Sequence, residues 1–294
     1  MIENITCPLA ENKTTLKNYI SVRDYSNTQE KFTIVSCETT NFLFTNPRPI
    51  EKEISKYYDF DDYISHTNKK SDFMSRLYYT VRGHSIKRKY KLISKLINSK
   101  KILDVGSGTG EFLSYMQNKG FETCGVEVAK KARELSIKNH KLLVSESFSN
   151  LKKKNFDIIT MWHVLEHVYD LDGYMKKIKK LLNDKGILVI AVPNHKCFDQ
   201  KFYGKYWAGW DAPLHLWHFD KESMRKLAKK YGFRISSIHP LYFDSFYVSL
   251  LSSKYKYKST KIIEAFFVGL YSNLHAKFKS GEFSSLIYVL KKIF

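Results

Sequence analysis

Apolar positions beyond residue 84 switch between two spacings. Ile86, Tyr90, Ile93, Leu96 and Ile97 recur at helical intervals, which predicts an amphipathic helix over 87–97. It feeds the short apolar run KKILDVG, closed by glycine and read as a buried strand. Helices are predicted next over 111–118, 129–138 and 171–182, and strands over 122–126, 141–144, 156–161 and 186–192. Short strands separated by helices imply parallel crossovers, so the fold class is α/β, a doubly wound sheet covered on both faces. A helix over 221–231 and a strand over 233–238 follow. A last strand over 284–290 lies beyond a helical insertion about 240–280 and pairs antiparallel with its predecessor.

The first 83 residues have a different texture. FTIVSCETTNFLFTN predicts two short strands, and a tyrosine-rich stretch, KYYDFDDYISH, comes after it. We therefore expect a small N-terminal lobe over 1–83 and a larger domain over 84–294. No repeat of solenoid length and no low-complexity linker separates them.

Composition narrows the function classes. In 294 residues, 43% hydrophobic and 27% charged positions exclude wholesale disorder. No apolar run approaches the roughly 18–20 residues of a membrane span. The four cysteines, Cys7, Cys37, Cys124 and Cys197, are too scattered for a disulfide framework, and the start lacks the basic and apolar regions of a secretory signal, so a cytoplasmic location is expected. The net charge of +20 falls entirely on 84–294, since residues 1–83 balance. Clusters such as Lys152-Lys153-Lys154, Lys176-Lys177 and Lys229-Lys230 read first as solvated faces. They also suit an anionic acceptor, or peripheral contact with an anionic membrane near the aromatic and basic C-terminal region. No DNA partner is expected, and RNA is disfavoured because no RNA-binding module is evident.

The strongest chemical signal is Asp104-Val105-Gly106-Ser107-Gly108-Thr109-Gly110-Glu111, between a buried strand and a helix start. Glycines there let backbone approach a ligand without a Cβ in the way, while free N–H groups of the helix start face it. A dinucleotide fingerprint would need glycine at 111, where Glu stands, and no G-K-[ST] follows, so neither a pyrophosphate turn nor a P-loop fits. Glu127 ends the next strand in CGVEVA. Adjacent strand ends in a parallel sheet lie about 5 Å apart, so its carboxylate reaches the same ligand and can accept both hydroxyls of a ribose.

Through KKILDVGSGTGEFL, GVEVA and FDIITMWHVLEHVYDLDGYMKKIKKLLNDKGILVIAVPN the chain resembles the class I S-adenosylmethionine-dependent methyltransferases over about residues 84–294. The resemblance implies a Rossmann-like, seven-stranded, mostly parallel sheet and S-adenosyl-L-methionine as cofactor. It implies that Asp104, Gly106, Gly108 and Gly110, with Ser107 in the same turn, hold the methionine portion. Glu127 would hold the ribose, and Glu146 in VSES would be the adenine-side acid. Within the family the chain is similar to a subset of surface-polysaccharide and natural-product type with an N-terminal zinc ribbon. That ribbon normally uses two C-x-x-C pairs, whereas Cys7-Pro-Leu-Ala10 and Cys37-Glu-Thr-Thr40 keep one thiol each. No zinc is expected there.

The acceptor side follows the fifth strand. FYGKYWAGWDAPLHLWHF resembles the family's F-G-x-x-W…D-x-P-R-H-L segment, with Leu214 in place of Arg. It is expected to form an apolar lid whose polar members include Asp211, His215 and His218. His215 is the first candidate general base, with Asp211 beside it, because a neutral imidazole can take a hydroxyl proton. His163, Glu166 and His167 in MWHVLEHV lie just beyond the fourth strand, where the family places groups facing the methyl and the acceptor. His163 is assigned to the cofactor side and His167 to proton handling. Their H-x-x-E-H spacing echoes an inverted zinc-protease motif, which the end of a buried strand does not suit. No catalytic metal is expected, although a divalent ion at Glu166 and His167 stays open. The expected activity is methyl transfer to a small-molecule or glycan acceptor, most readily at oxygen, with RNA methylation or cofactor binding without catalysis as rivals.

Overall fold

The computed structural model describes residues 1–58, 73–151 and 155–293, with side chains from residue 80 onward in its first long helix. The tyrosine-rich stretch beyond Tyr58 and the cluster Lys152-Lys153-Lys154 lie outside the described residues.

A seven-stranded sheet organises the larger part. Its strands are β6 (Lys101–Val105), β7 (Glu122–Val126), β8 (Val144–Ser145), β9 (Phe156–Trp162), β10 (Leu182–Pro193), β12 (Phe233–Pro240) and β13 (Ser285–Lys292), in spatial order β12-β13-β10-β9-β6-β7-β8. β6 pairs in parallel with β7 and β9, and β13 runs antiparallel to both β10 and β12. Of the late pair, only β13 therefore opposes the core direction. Strand order reverses between β6 and β9, and in open α/β sheets that crevice at the carboxyl ends receives ligands.

Alternation along the strands fills two cores. Leu103, Ile159, Leu188 and Ile190 point to one face. Ile102, Ile158, Ile187 and Val189 point to the other. Ile187 to Val192 are all buried, as expected of a strand covered on both faces. Helix α1 (Phe73–Leu96) brings Ile93 to the second core, with α2 (Glu111–Asn118) adding Phe112, Leu113 and Met116. α3 (Lys130–His140) joins β7 to β8. α4 (Leu171–Leu181) buries Leu171, Met175 and Ile178, one helical face, and starts on Asp170, whose carboxylate accepts the Gly173 N–H at 2.9 Å.

The predicted elements hold with two corrections. The helix foreseen over 87–97 begins at Phe73, so it runs through residue 83. The strand foreseen over 141–144 shrinks to Val144–Ser145, because Lys141 adopts φ +53° as the left-handed cap of α3 and the chain straightens only afterwards.

The N-terminal strands β2 (Leu16–Arg23), β3 (Lys31–Cys37) and β4 (Leu43–Thr45) form an antiparallel sheet completed by β11 (Trp217–His218). β1 (Ile2–Glu3) pairs separately with β5 (Arg48–Pro49). The smaller sheet thus takes its last strand from the larger part of the chain. Phe42, Phe44, Trp217 and Phe219 cluster across this seam. Cys7 and Cys37 are buried free thiols, with Cys7 Sγ 3.3 Å from Thr40 Oγ1 and Cys37 Sγ 3.4 Å from Thr39 Oγ1.

After β10 come α5 (Phe198–Tyr203), the aromatic loop, and α6 (Lys221–Lys230), capped reciprocally by Asp220 and Ser223. The insertion is α7 (Asp244–Tyr257) and α8 (Ile262–His275), the latter ending in a π turn over Ala276–Ser280.

Candidate active site

The glycine turn and Glu127 face one another. Gly108 N–H donates to Glu127 Oε2 at 2.7 Å, and Ala129 N–H donates to Glu127 Oε1 at 2.8 Å. The N–H groups of Gly106 and Ser107 donate to Val126 O at 2.7 and 3.1 Å, tying the turn to the end of β7. Gly106 has φ +71°, and a Cβ there would lie 2.4 Å from Val164 Cγ2; Gly110, at φ +88°, starts α2 against Ser136 and Leu142. Only glycine satisfies both the backbone angle and the space.

Asp104 is buried beneath this turn and accepts from Thr160 Oγ1 at 2.5 Å. Burial pushes its carboxyl up, opposed by that hydroxyl and by the Lys89 ammonium. Burial likewise lowers Lys89, whose Nζ stands 4.2 Å from the centre of the Trp162 ring. Glu146 lies past the end of β8, its side chain 64% exposed, and pairs with Arg133 at 3.7 Å; Arg133 also donates to Glu127 O at 2.6 Å.

Past β9, His163 adopts φ +56° and sits between two carboxylates, Nδ1 3.2 Å from Glu166 Oε1 and Nε2 2.9 Å from Asp244 Oδ2. Burial alone would lower its pKa, but the hydrogen-bonded carboxylates outweigh that and raise it to about 10. His163 is an imidazolium that pins the start of α7 to the end of β9.

His167 and His215 meet edge to face, ring centres 4.7 Å apart. Each turns Nδ1 to a backbone carbonyl, Leu214 O at 3.0 Å and Gly209 O at 2.9 Å. Both therefore carry the proton on Nδ1 and leave Nε2 as the lone-pair nitrogen. Burial depresses both, His167 to about 4. Asp211 Oδ2 lies 3.8 Å from His215 Nε2, and burial raises the Asp211 carboxyl to about 6. Glu166, fully buried, leaves Oε2 without a partner among the described residues, and Glu166, His167 and His215 bring ligand atoms within 4.8 Å of one another. That donor set is one a divalent ion could use.

The aromatic loop corrects one expectation. Trp207 and Trp210 are 2% and 1% exposed and pack with Val22, Leu43 and Tyr57. They wedge the N-terminal sheet against the insertion, because rings of that size find their burial there and not over the crevice.

The structure thus brings Asp104, the glycines and Glu127 into one crevice, with His163, His167, Asp211 and His215 along a neighbouring edge. Sequence reasoning missed Arg82, Lys89 and Asp244. Arg82 pairs with Glu111 and donates to Thr109 Oγ1 at 3.4 Å, so α1 covers the turn. The spacing of Arg82 and Lys89, two turns apart on one helix face, was the available signal.

The crevice fits a nucleoside-bearing cofactor. Each Glu127 oxygen, already holding one N–H, keeps a lone pair for a hydroxyl.

The comparisons agree. A family model described as "Methyltransferase domain" matches residues 78–238, more than half of the chain. Ubiquinone biosynthesis O-methyltransferase of Pelagibacter ubique is 34% identical over 113 residues, 36% of this chain and 47% of that protein. Its counterpart of Rickettsia bellii is 30% identical over 128 residues, covering 40% and 50%. The chain spans about half the length of the curated relatives it matches. Magnesium protoporphyrin IX methyltransferase of Synechocystis PCC 6803, with bound SAH, superposes with TM-score 0.52 at 12% identity, over 79% of this chain and 94% of that one. A SAM-dependent methyltransferase of Thermotoga maritima gives TM-score 0.52 at 16% identity, over 79% and 98%. At such identities the likeness is one of fold. With the domain match over the crevice itself, the chain belongs to the class I S-adenosylmethionine-dependent methyltransferases.

Proposed function

We propose that the protein transfers the methyl group of S-adenosylmethionine to an oxygen of a small-molecule acceptor. The observation that carries this is Glu127 set against the glycine turn, next to an edge holding two neutral imidazoles and a carboxylate. When bound, the cofactor supplies an electrophilic sulfonium methyl. The chain's part is orientation and proton handling, and holding two reactants in line provides most of the acceleration. Asp104 and the turn hold the amino-acid end, Glu127 the ribose, and Glu146 stands at the adenine side. His215 Nε2 receives the acceptor's proton and Asp211, beside it, stabilises the imidazolium. His167 is the weaker base. The relatives' name supports oxygen as the acceptor atom.

An acceptor of anionic character suits the approach to this edge. A cavity of about 290 Å³ opens between α1, the end of β12 and the start of α7, lined by Arg88, Lys89, His239 and Asp244 among others. Incubating the protein with methyl-labelled cofactor and catechol-like or carboxylated phenols tests the reading. Label in a methyl ether supports it; label on no hydroxyl acceptor, with cofactor bound, contradicts it.

A further inference from the structure

Helix α8 is built inside out. Apart from Val268, its inward positions are small or polar: Ala265, Gly269, Ser272 and Asn273. Gly269 lies so near α7 that a Cβ would meet Phe246 Cα and Ser245 O at 3.0 Å. Its outward positions are Ile262, Ile263, Phe266, Phe267 and Leu274, between 45% and 76% exposed, and the face continues through Phe278 at 72%. A helix bathed only in water ordinarily has the reverse pattern, and a contiguous apolar face marks an interaction surface.

The charge around this face identifies what covers it. Lys254, Lys258 and Lys261 stand exposed at one end, Lys277 and Lys279 at the other. Residues 254–281 contain a single acid, Glu264, which accepts from Tyr203 Oη at 3.5 Å. Aromatic side chains flanked by ammonium groups match a headgroup layer, with rings at the acyl boundary and lysines among phosphates. A second copy of the chain is a poor match, because a two-fold contact sets the same lysines against themselves. No described helix is long and apolar enough to cross a membrane, so the contact is peripheral.

We propose that α8 and the turn after it lie flat on an anionic bilayer surface. The face is coupled to the acceptor side. Buried Asp199 accepts from Ser272 Oγ of α8 at 2.7 Å and from Trp207 Nε1 of the aromatic loop at 2.8 Å. α7, which packs on α8, is held to the crevice by Asp244 and His163. Docking α8 therefore places the acceptor edge beside the lipid. Membrane docking itself does not depend on methyl transfer; only its bearing on the acceptor edge rests on that reading.

The test is co-sedimentation of the full chain with vesicles of phosphatidylcholine, with or without phosphatidylglycerol. Binding is expected only with phosphatidylglycerol, weakening as salt rises. The double variant Phe267→Ser, Phe278→Ser should lose about tenfold or more in vesicle affinity. Both positions are exposed, so circular dichroism and cofactor affinity should match the parent. Failure of the parent to sediment, equal binding to both vesicle types, or undiminished binding by the double variant each overturns the proposal. So does sedimentation velocity showing a dimer that the double variant abolishes, which makes the face a protein interface.

Discussion

The Glu127 carboxylate accepts the Gly108 N–H at 2.7 Å across the gap between two neighbouring strand ends. The register explains the contact. Val105 pairs with Val126, so Glu127 is the first residue past β7, level with the start of the turn. Gly125, two positions before Glu127, leaves room for Ser107, since a Cβ there would come 2.8 Å from Ser107 Oγ. The second strand shapes the turn as well as supplying the acid.

Replacing Gly106 by Val forces a side chain into φ +71° and onto Val164. A cost of about 2–4 kcal/mol is expected from backbone strain and overpacking together. Denaturant titration measures it. A midpoint equal to the parent's shows that the turn is looser than described.

The proton-handling pair sets a pH profile. Asp211 is raised to about 6 by burial and His215 is lowered, so both are free to accept only once deprotonated. kcat/KM should climb with pH, reach half its plateau near 6 and stay flat above neutrality. His215→Ala should cost about 10²–10⁴-fold in kcat. A limb centred well above neutrality points instead to an amine such as Lys89.

His163 carries a stability signature. Burial opposes its charge, but Asp244 and Glu166 raise it to about 10, against 6.5 for the free side chain. The stabilisation is fully present below pH 6.5 and is lost as pH rises through 10. Because the side chain is 36% exposed, the pair merits about 1–2 kcal/mol, less than a fully buried one. Melting curves between pH 6 and 10 should fall more steeply for the parent than for His163→Gln. Parallel curves remove the ion pair from the account.

Methyl transfer as described uses protein side chains for the proton and needs no ion at Glu166, His167 and His215. Exhaustive chelation followed by assay should leave kcat unchanged. Loss of activity on chelation, restored by a divalent salt, reassigns those three residues as ligands.

Much of the fold was legible because the pattern and the burial agree. The run Ile187 to Val192 can only be a strand covered on both faces, and the glycines announce their turn through space no side chain can occupy. β2 escaped because most of its residues are exposed and the alternation that ends in Ile20 and Val22 is broken by a register shift between Asn18 and Ile20. β8 was placed early because the apolar LLV run suggested a strand before the helix cap at Lys141 was known. In the site, Asp104 and Glu127 announced themselves through a local motif. Asp244 could not, since its link to His163 is made by an insertion some 80 residues along the chain. The tryptophans misled because composition marks an aromatic loop without saying which surface it buries.

The most direct test is calorimetric titration of S-adenosylhomocysteine into the parent and into Glu127→Ala. Losing a charged acceptor should cost about 1.5–3 kcal/mol, a ten- to hundredfold weaker affinity, in a protein that melts somewhat below the parent, because the Gly108 and Ala129 N–H groups lose their acceptor, but keeps the parent's circular dichroism. An unaltered affinity would mean that the ribose is held elsewhere and that the crevice has been misread.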